Sequence, residues 1–228
     1  MKRIDGRKAD EMREMSAKAG IIPRADGSGY FQIGKTVAYA AVYGPRNLYP
    51  KFLQDPQKGI LRVNYNMMPF SSKGERVRPG GNRRSKELSL VIEKALLPVV
   101  NLNEFPNAVV DVFIEFPQTD AGTRCAGICA AAIALADAGV SMRDLVGAVS
   151  TGKAGDSIIL DLNYEEDSAE NGADIPVAMT GRKNEITLLQ MDGKLSLEEL
   201  QEAIQLAQKG IAQIIAVQRK ALQEKYHE

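Results

Sequence analysis

Gln118-Thr119-Asp120-Ala121-Gly122-Thr123-Arg124 runs straight into Cys125-Ala126-Gly127-Ile128-Cys129-Ala130-Ala131-Ala132-Ile133-Ala134-Leu135. An apolar run, Val109 to Phe116, precedes it. The pattern predicts a strand, a tight loop and a helix of small residues. Gly-Thr-Arg at a helix start gathers free backbone N–H groups, a hydroxyl and a guanidinium, which suits an anion. The triplet alone is a weak motif, and an ordinary helix start capped by Thr123 accounts for it equally well.

Working outward, residues 1–20 are polar and helix-compatible, with Met12 and Met15 as a weak apolar stripe. Asp26-Gly27-Ser28-Gly29 reads as a turn. Strands are expected at 30–33 and 36–43, joined by a hairpin at Gly34-Lys35. Residues 47–59 are a polar loop, and Ile60 to Met68 alternates as a strand. Ser85 can cap a helix carrying Leu88, Val91, Ile92, Ala95 and Leu96. The helix after Gly122 stops at Ala138-Gly139, and a short capped turn is expected at Ser141–Asp144. Further strands are expected at 145–150, 157–162, 175–179 and 185–191. Ser196-Leu197-Glu198-Glu199 is a capping box that opens a long helix to about Tyr226. The expected fold is an α+β layered domain with mixed sheets. One domain covers 1–228, with an N-terminal part of about 1–140 and a C-terminal part of about 141–228.

The chain has 228 residues and equal numbers of acidic and basic side chains, so its formal net charge is zero. A nucleic-acid binder usually shows a basic excess, so any basic surface here must be local. No stretch is apolar and long enough to span a membrane. The charged N-terminus lacks the apolar core of a signal peptide, so a cytoplasmic location is expected. The single histidine, His227, lies at the end of the chain. A Ser-His-Asp triad, a Cys-His pair and a His-rich zinc site are therefore disfavoured. Cys125 and Cys129 share a helix face, where a disulfide is disfavoured and burial as small residues is expected. Chemistry must come from carboxylates, Arg, Lys, Tyr or the substrate itself.

Two loops carry such groups. Residues 69–84 hold Lys73, Arg76, Arg78, Arg83 and Arg84 with a single Glu75. They form either a solvated loop or a clamp on phosphate, for which the Arg fork is well shaped. Arg83 and Arg84 precede a helix start, where positive charge opposes the dipole unless an anion sits between them. With Gly122-Thr123-Arg124, this makes two anion-friendly helix starts. The acidic stretch 160–179 joins two strands and is either an exposed loop or a site built on Asp167 and Asp174. Each carboxylate could bind a divalent cation or give a proton to a leaving oxygen. Neighbouring carboxylates raise each other's pKa, which favours a general acid. If inorganic phosphate is itself the nucleophile, the enzyme supplies only position and charge neutralisation.

At these residues the chain resembles the ribonuclease PH family, and within it the phosphorolytic subunits of archaeal exosomes. The resemblance spans essentially the whole chain. It rests on Ile4-Asp5-Gly6-Arg7, Asn64-Tyr65-Asn66-Met67-Met68-Pro69-Phe70-Ser71, Arg83-Arg84-Ser85-Lys86-Glu87-Leu88, Gln118 to Arg124, Leu160-Asp161-Leu162, and Glu166-Asp167 to Asp174-Ile175-Pro176-Val177-Ala178-Met179. Each is weak alone; their order and spacing are specific.

The resemblance implies a fold of the ribosomal protein S5 domain 2-like type, duplicated, with mixed sheets and a long C-terminal helix. It implies a 3′→5′ exoribonuclease in which inorganic phosphate attacks the terminal phosphodiester and releases a nucleoside diphosphate, reversibly. It assigns phosphate binding to Gly122, Thr123, Arg124 and Arg84, and acid catalysis or Mg2+ binding to Asp167 and Asp174. RNA contacts fall to Arg83, Arg76, Arg62 and Tyr65. It also implies a ring of three heterodimers with an inactive paralogue, capped by subunits with S1 or KH domains.

Two positions depart from the family pattern. Asn64 stands where the pattern has a basic residue, with Arg62 and Arg76 as substitutes. The Asp167–Asp174 spacing is one residue longer, which leaves Glu166 as a second candidate for the acid. Two other readings fit the same residues: a homohexameric ribonuclease PH of the bacterial type that trims transfer-RNA 3′ ends, and a non-catalytic RNA-binding ring scaffold. Retention of Arg83, Arg84, Arg124, Asp167 and Asp174 argues against the scaffold.

Overall fold

The helix that follows Gly122 sits at the centre of the molecule. In the computed structural model, which describes residues 3, 5–74, 77–78, 80–155, 157–168 and 172–226, α2 (Thr123–Asp137) is buried on nearly every side. A helix apolar all round must be enclosed, and α2 packs against strands of two different sheets. The first sheet has the order β1-β2-β3-β5-β4, formed by β1 (Met15–Ala19), β2 (Gly27–Ile33), β3 (Thr36–Asn47), β4 (Ile60–Met67) and β5 (Ala108–Gln118). It is mixed, because β4 runs parallel to β5 while the other pairs are antiparallel. The second sheet, β7-β6-β8-β9, is antiparallel throughout and uses β6 (Val146–Ala154), β7 (Ser157–Leu160), β8 (Ala173–Thr180) and β9 (Ile186–Leu189).

The helices lie between the sheets. α1 (Arg83–Leu96) touches β4 and β9, and α4 (Leu197–Tyr226) touches β6, β7, β8 and β1. The result is an α+β arrangement of two sheet-and-helix layers placed back to back. One continuous apolar core runs through both, from Phe31 and Phe116 to Ile175 and Ile211.

Close approach of α2 to the first sheet depends on glycine. A Cβ on Gly29 would lie 2.4 Å from the Ala130 carbonyl oxygen, and one on Gly27 would lie 2.2 Å from the Ala138 nitrogen. The expected turn at 26–29 is therefore wrong from Gly27 on: these glycines are strand residues that leave room for a helix. At the far end of α2, Asp137 is buried. It accepts from the Ser28 amide at 2.8 Å and from Lys225 of α4 at 2.5 Å.

Two further expectations need correction. The segment 1–20 holds a strand rather than a helix. Met15, Ala17 and Ala19 alternate toward the core, and the pairing with β2 outweighs a weak helical stripe. Helix α1 starts earlier than expected, with Asn82 as its cap, accepting from the Ser85 amide at 2.7 Å. Ser85 supplies the reciprocal half of that capping box. The Ser196–Glu199 box is present as expected.

Candidate active site

The Gln118–Arg124 loop turns sharply. Ala121 and Gly122 both have left-handed backbone angles, φ 58° and 64°. For alanine that conformation is strained, and buried Thr36 holds it in place. The Thr36 hydroxyl donates to the Ala121 carbonyl at 2.7 Å and accepts from the Asp120 amide at 2.8 Å. Gly122, not Thr123, is the N-cap of α2, and among the described residues no side chain caps the helix start. Gly122, Thr123, Arg124 and Cys125 of this helix start line a cavity of about 480 Å³.

Tyr65 organises Thr123. Its ring is buried against Phe116, and its hydroxyl donates to Thr123 Oγ1 at 2.9 Å. Burial pushes the phenol above its ordinary pKa, so it stays a donor. The Thr123 proton is then free to point at an anion. Arg124 is held by Gln190, whose Oε1 accepts from Nη1 at 2.8 Å. Its buried Nε has no hydrogen-bond partner among the described residues, as expected of a donor awaiting a ligand.

Asp167 and Asp174 line the same cavity. Asp167 ends the short helix α3 (Tyr164–Asp167), and Asp174 lies at the start of β8. Burial raises the Asp167 pKa, and the charge of Asp174 raises it further, against Arg84 and Arg124. Burial also raises the Asp174 pKa, opposed by a hydrogen bond from Ser150 and by Arg124. Both carboxyls are thus displaced toward the protonated form needed in an acid. The cavity thus gathers anion donors and proton donors.

The other predicted residues fall as follows. Arg84 lines the cavity; Arg83, next to it in the first turn of α1, is exposed and does not. Arg62 also lies outside it, paired with Asp111 of β5 at 2.5 Å. The alternation of β4 sends Arg62 and Asn64 to the outer face while Tyr65 points inward. Tyr65 therefore supports the anion loop from beneath. Arg76 and His227 lie outside the described residues. Glu166 is engaged elsewhere: Arg3 grips it with two hydrogen bonds of 2.8 and 2.7 Å. Burial alone would raise its pKa, but Arg3 lowers it overall, which unsuits Glu166 as an acid. Both cysteines are buried and free.

Ser150, Gln190, Thr36 and Arg13 carry no motif and were not foreseen. Each is an isolated polar residue in an apolar or charged neighbourhood, and only the fold gives it a partner. The paired oxygens of Asp167 and Asp174 form the kind of donor set with which Mg2+ is held beside phosphate. Among the described residues no group of three His, Cys, Asp or Glu side chains could hold a metal ion, so phosphate or water would have to complete such a site.

A mixed sheet feeding a helix N-terminus, with two carboxyls of raised pKa lining the same cavity, is an α+β arrangement suited to handling phosphate. Comparison with known proteins narrows this. The description "3′ exoribonuclease family, domain 1" (RNase_PH) matches residues 11–141, and "3′ exoribonuclease family, domain 2" matches residues 144–210. The chain belongs to this ribonuclease PH family. It is 55% identical over 225 residues to "Exosome complex component Rrp41" of Thermococcus kodakarensis, covering 99% of this chain and 90% of the relative. The protein of that name from Methanopyrus kandleri is 49% identical over 224 residues, covering 98% and 93%. Among solved structures, rice Rrp46 superposes with a TM-score of 0.86 at 25% identity, covering 97% of this chain and 100% of that one.

Proposed function

We propose that this chain is the catalytic component of an exosome, a phosphate-dependent 3′→5′ exoribonuclease. The observation that carries the proposal is a helix N-terminus that no side chain among the described residues caps, in one cavity with two protonatable carboxyls. Family membership and relatives named as exosome components support it.

The backbone amides at Thr123 and Arg124, the Thr123 hydroxyl, and the guanidinium groups of Arg124 and Arg84 hold inorganic phosphate. One phosphate oxygen attacks the terminal phosphorus of RNA, and the bond from that phosphorus to the 3′ oxygen of the preceding nucleotide breaks. Asp174 or Asp167 gives its proton to the departing oxygen. The last nucleotide leaves as a diphosphate, and the shortened RNA carries a 3′ hydroxyl. The bond formed resembles the bond broken, so excess nucleoside diphosphate drives 3′ tailing. Asp167 and Asp174, when ionised, are the residues that would hold Mg2+, and the ion would supply further neutralisation of charge.

The partners belong to the same proposal. An inactive paralogue completes a ring of three heterodimers, and S1- or KH-domain subunits cap it. The zero net charge supports this, because a processive RNA path then needs basic surface from other subunits. Arg83 and Arg76 contribute RNA contacts from this chain, Arg62 a peripheral one at most. The chain works as one domain in two parts, 1–140 and 141–228, supported by the boundary between the two family matches and by the shared core. A cytoplasmic location follows from the activity proposed; among the described residues no helix is long and apolar enough to cross a membrane.

The test is incubation of the assembled complex with 3′-tailed RNA, with and without inorganic phosphate, and with a chelator. Phosphate-dependent release of nucleoside diphosphates is expected. Nucleoside monophosphates, or no release, would overturn the reading. A fully active homohexamer without a partner would favour the bacterial type instead.

A further inference from the structure

We propose that Arg13 is a positioning residue that fixes the separation of the anion loop from the acidic loop. The proposal deepens the phosphorolytic reading and rests on it. The anion loop and the acidic loop come from different parts of the chain, and among the described residues no strand pairing joins them. Arg13 does. Its Nη1 donates to the Asp120 carbonyl at 2.6 Å, two residues before the Gly122 cap. Its Nε and Nη2 donate to the two oxygens of Asp161 at 2.8 and 2.6 Å, and its backbone amide donates to Asp161 Oδ2 at 2.9 Å. Asp161 is buried, has a left-handed φ of 55°, and opens the acidic loop.

The linkage continues to the acid itself. Arg3 holds the Asp161 carbonyl at 2.8 Å and both oxygens of Glu166, the residue before Asp167. Asp120 also accepts from the Tyr164 amide at 3.3 Å, at the start of α3. A planar guanidinium reaches a carbonyl on one loop and a carboxylate on the other at fixed angles; a lysine ammonium cannot reproduce that fork. The Arg13 guanidinium also packs under the anion cap, its Nη2 only 3.6 Å from where a Gly122 Cβ would stand. A guanidinium placed only for stability has no need to pair with the two loops whose spacing the reaction uses.

The deciding measurement is single-turnover phosphorolysis by the assembled complex at saturating phosphate, with Arg13→Lys against wild type. Misplacement of reacting groups by about an ångström costs up to roughly 100-fold in rate. The expected result is a fall in rate of about 10- to 100-fold, a raised KM for phosphate, and unchanged RNA binding in its absence. A purely structural charge would be rescued by lysine, so a wild-type rate in the folded variant overturns the proposal. Asp161→Asn is expected to show the same kinetic loss. If neither variant assembles, hydrogen exchange of the wild-type complex decides. Inorganic phosphate must slow exchange at 161–168 as well as at 118–124, and protection confined to 118–124 overturns the coupling. Failure of wild type to release nucleoside diphosphates would instead sink the phosphorolytic reading.

Discussion

Asp174, one of the two proposed acids, sits where burial works against stability. Burial raises its pKa in the folded state above the ordinary value of 3.8. Above the folded pKa, the native protein bears the cost of a buried charge; below the unfolded value both states are protonated and the cost is gone. Native stability at this site therefore rises as pH falls through that window. Asp174→Asn is expected to abolish turnover yet raise the thermal midpoint at neutral pH. The gain should shrink toward zero in melts below pH 3.8. Loss of stability at neutral pH would show that the carboxylate is a structural partner of Ser150 instead. Gly122 gives a second test. Its φ is left-handed, and an added methyl would meet nothing closer than ordinary contact, so Gly122→Ala costs about 1–2 kcal/mol through backbone strain alone. Phosphate use should fall with it, measured as a raised KM for phosphate.

At the scale of elements, the site depends on two joints. The first is the four-residue helix α3, which could not stand alone and is held by the Arg3–Glu166 pair, with side chains only 3% and 5% exposed. Removing one member of a buried pair costs about 3–5 kcal/mol when the other charge is left alone; here Arg7, 3.8 Å from Glu166, remains as a weaker partner, so the loss falls toward the lower end. Arg3→Met should show that loss in urea unfolding at neutral pH. In wild type the lowered pKa of Glu166 means that its contribution is present above the ordinary value of 4.5 and is lost as pH falls through the folded value. In the variant, acidification neutralises Glu166, so the difference between the proteins should narrow. The second joint is β2 against α2. Gly29→Ala drives a methyl into a backbone carbonyl that cannot rotate away, and overpacking of this kind costs about 1–3 kcal/mol or more. A urea midpoint close to wild type would show that α2 can shift without loss.

For the whole molecule, neutrality is the constraint with the widest consequence. With no net charge to attract RNA, the isolated chain should bind RNA more weakly than the assembled complex in a mobility-shift titration at the same salt; equal affinity would refute a shared basic path. The order of strands and helices was legible from period and punctuation, because β3, β5, α2 and α4 are long and bounded by clear signals. The Gly-Thr-Arg helix start and the two aspartates were legible through their spacing, aided by family resemblance. Residues 1–20 misled, since a short edge strand such as β1 is decided by its neighbour and not by its own propensity. Arg62 misled because only the pairing of β4 with β5 reveals that it faces Asp111, away from the cavity. The sequence by itself determined which groups can do chemistry here: carboxylates and arginines, with histidine effectively absent. Only the tertiary structure decided which of them meet. Asp167, Asp174, Arg124 and Arg84 converge because α2 is enclosed between two sheets, and Thr36, Gln190, Ser150 and Arg13 acquire their roles from contacts across many residues of chain, which no local pattern records.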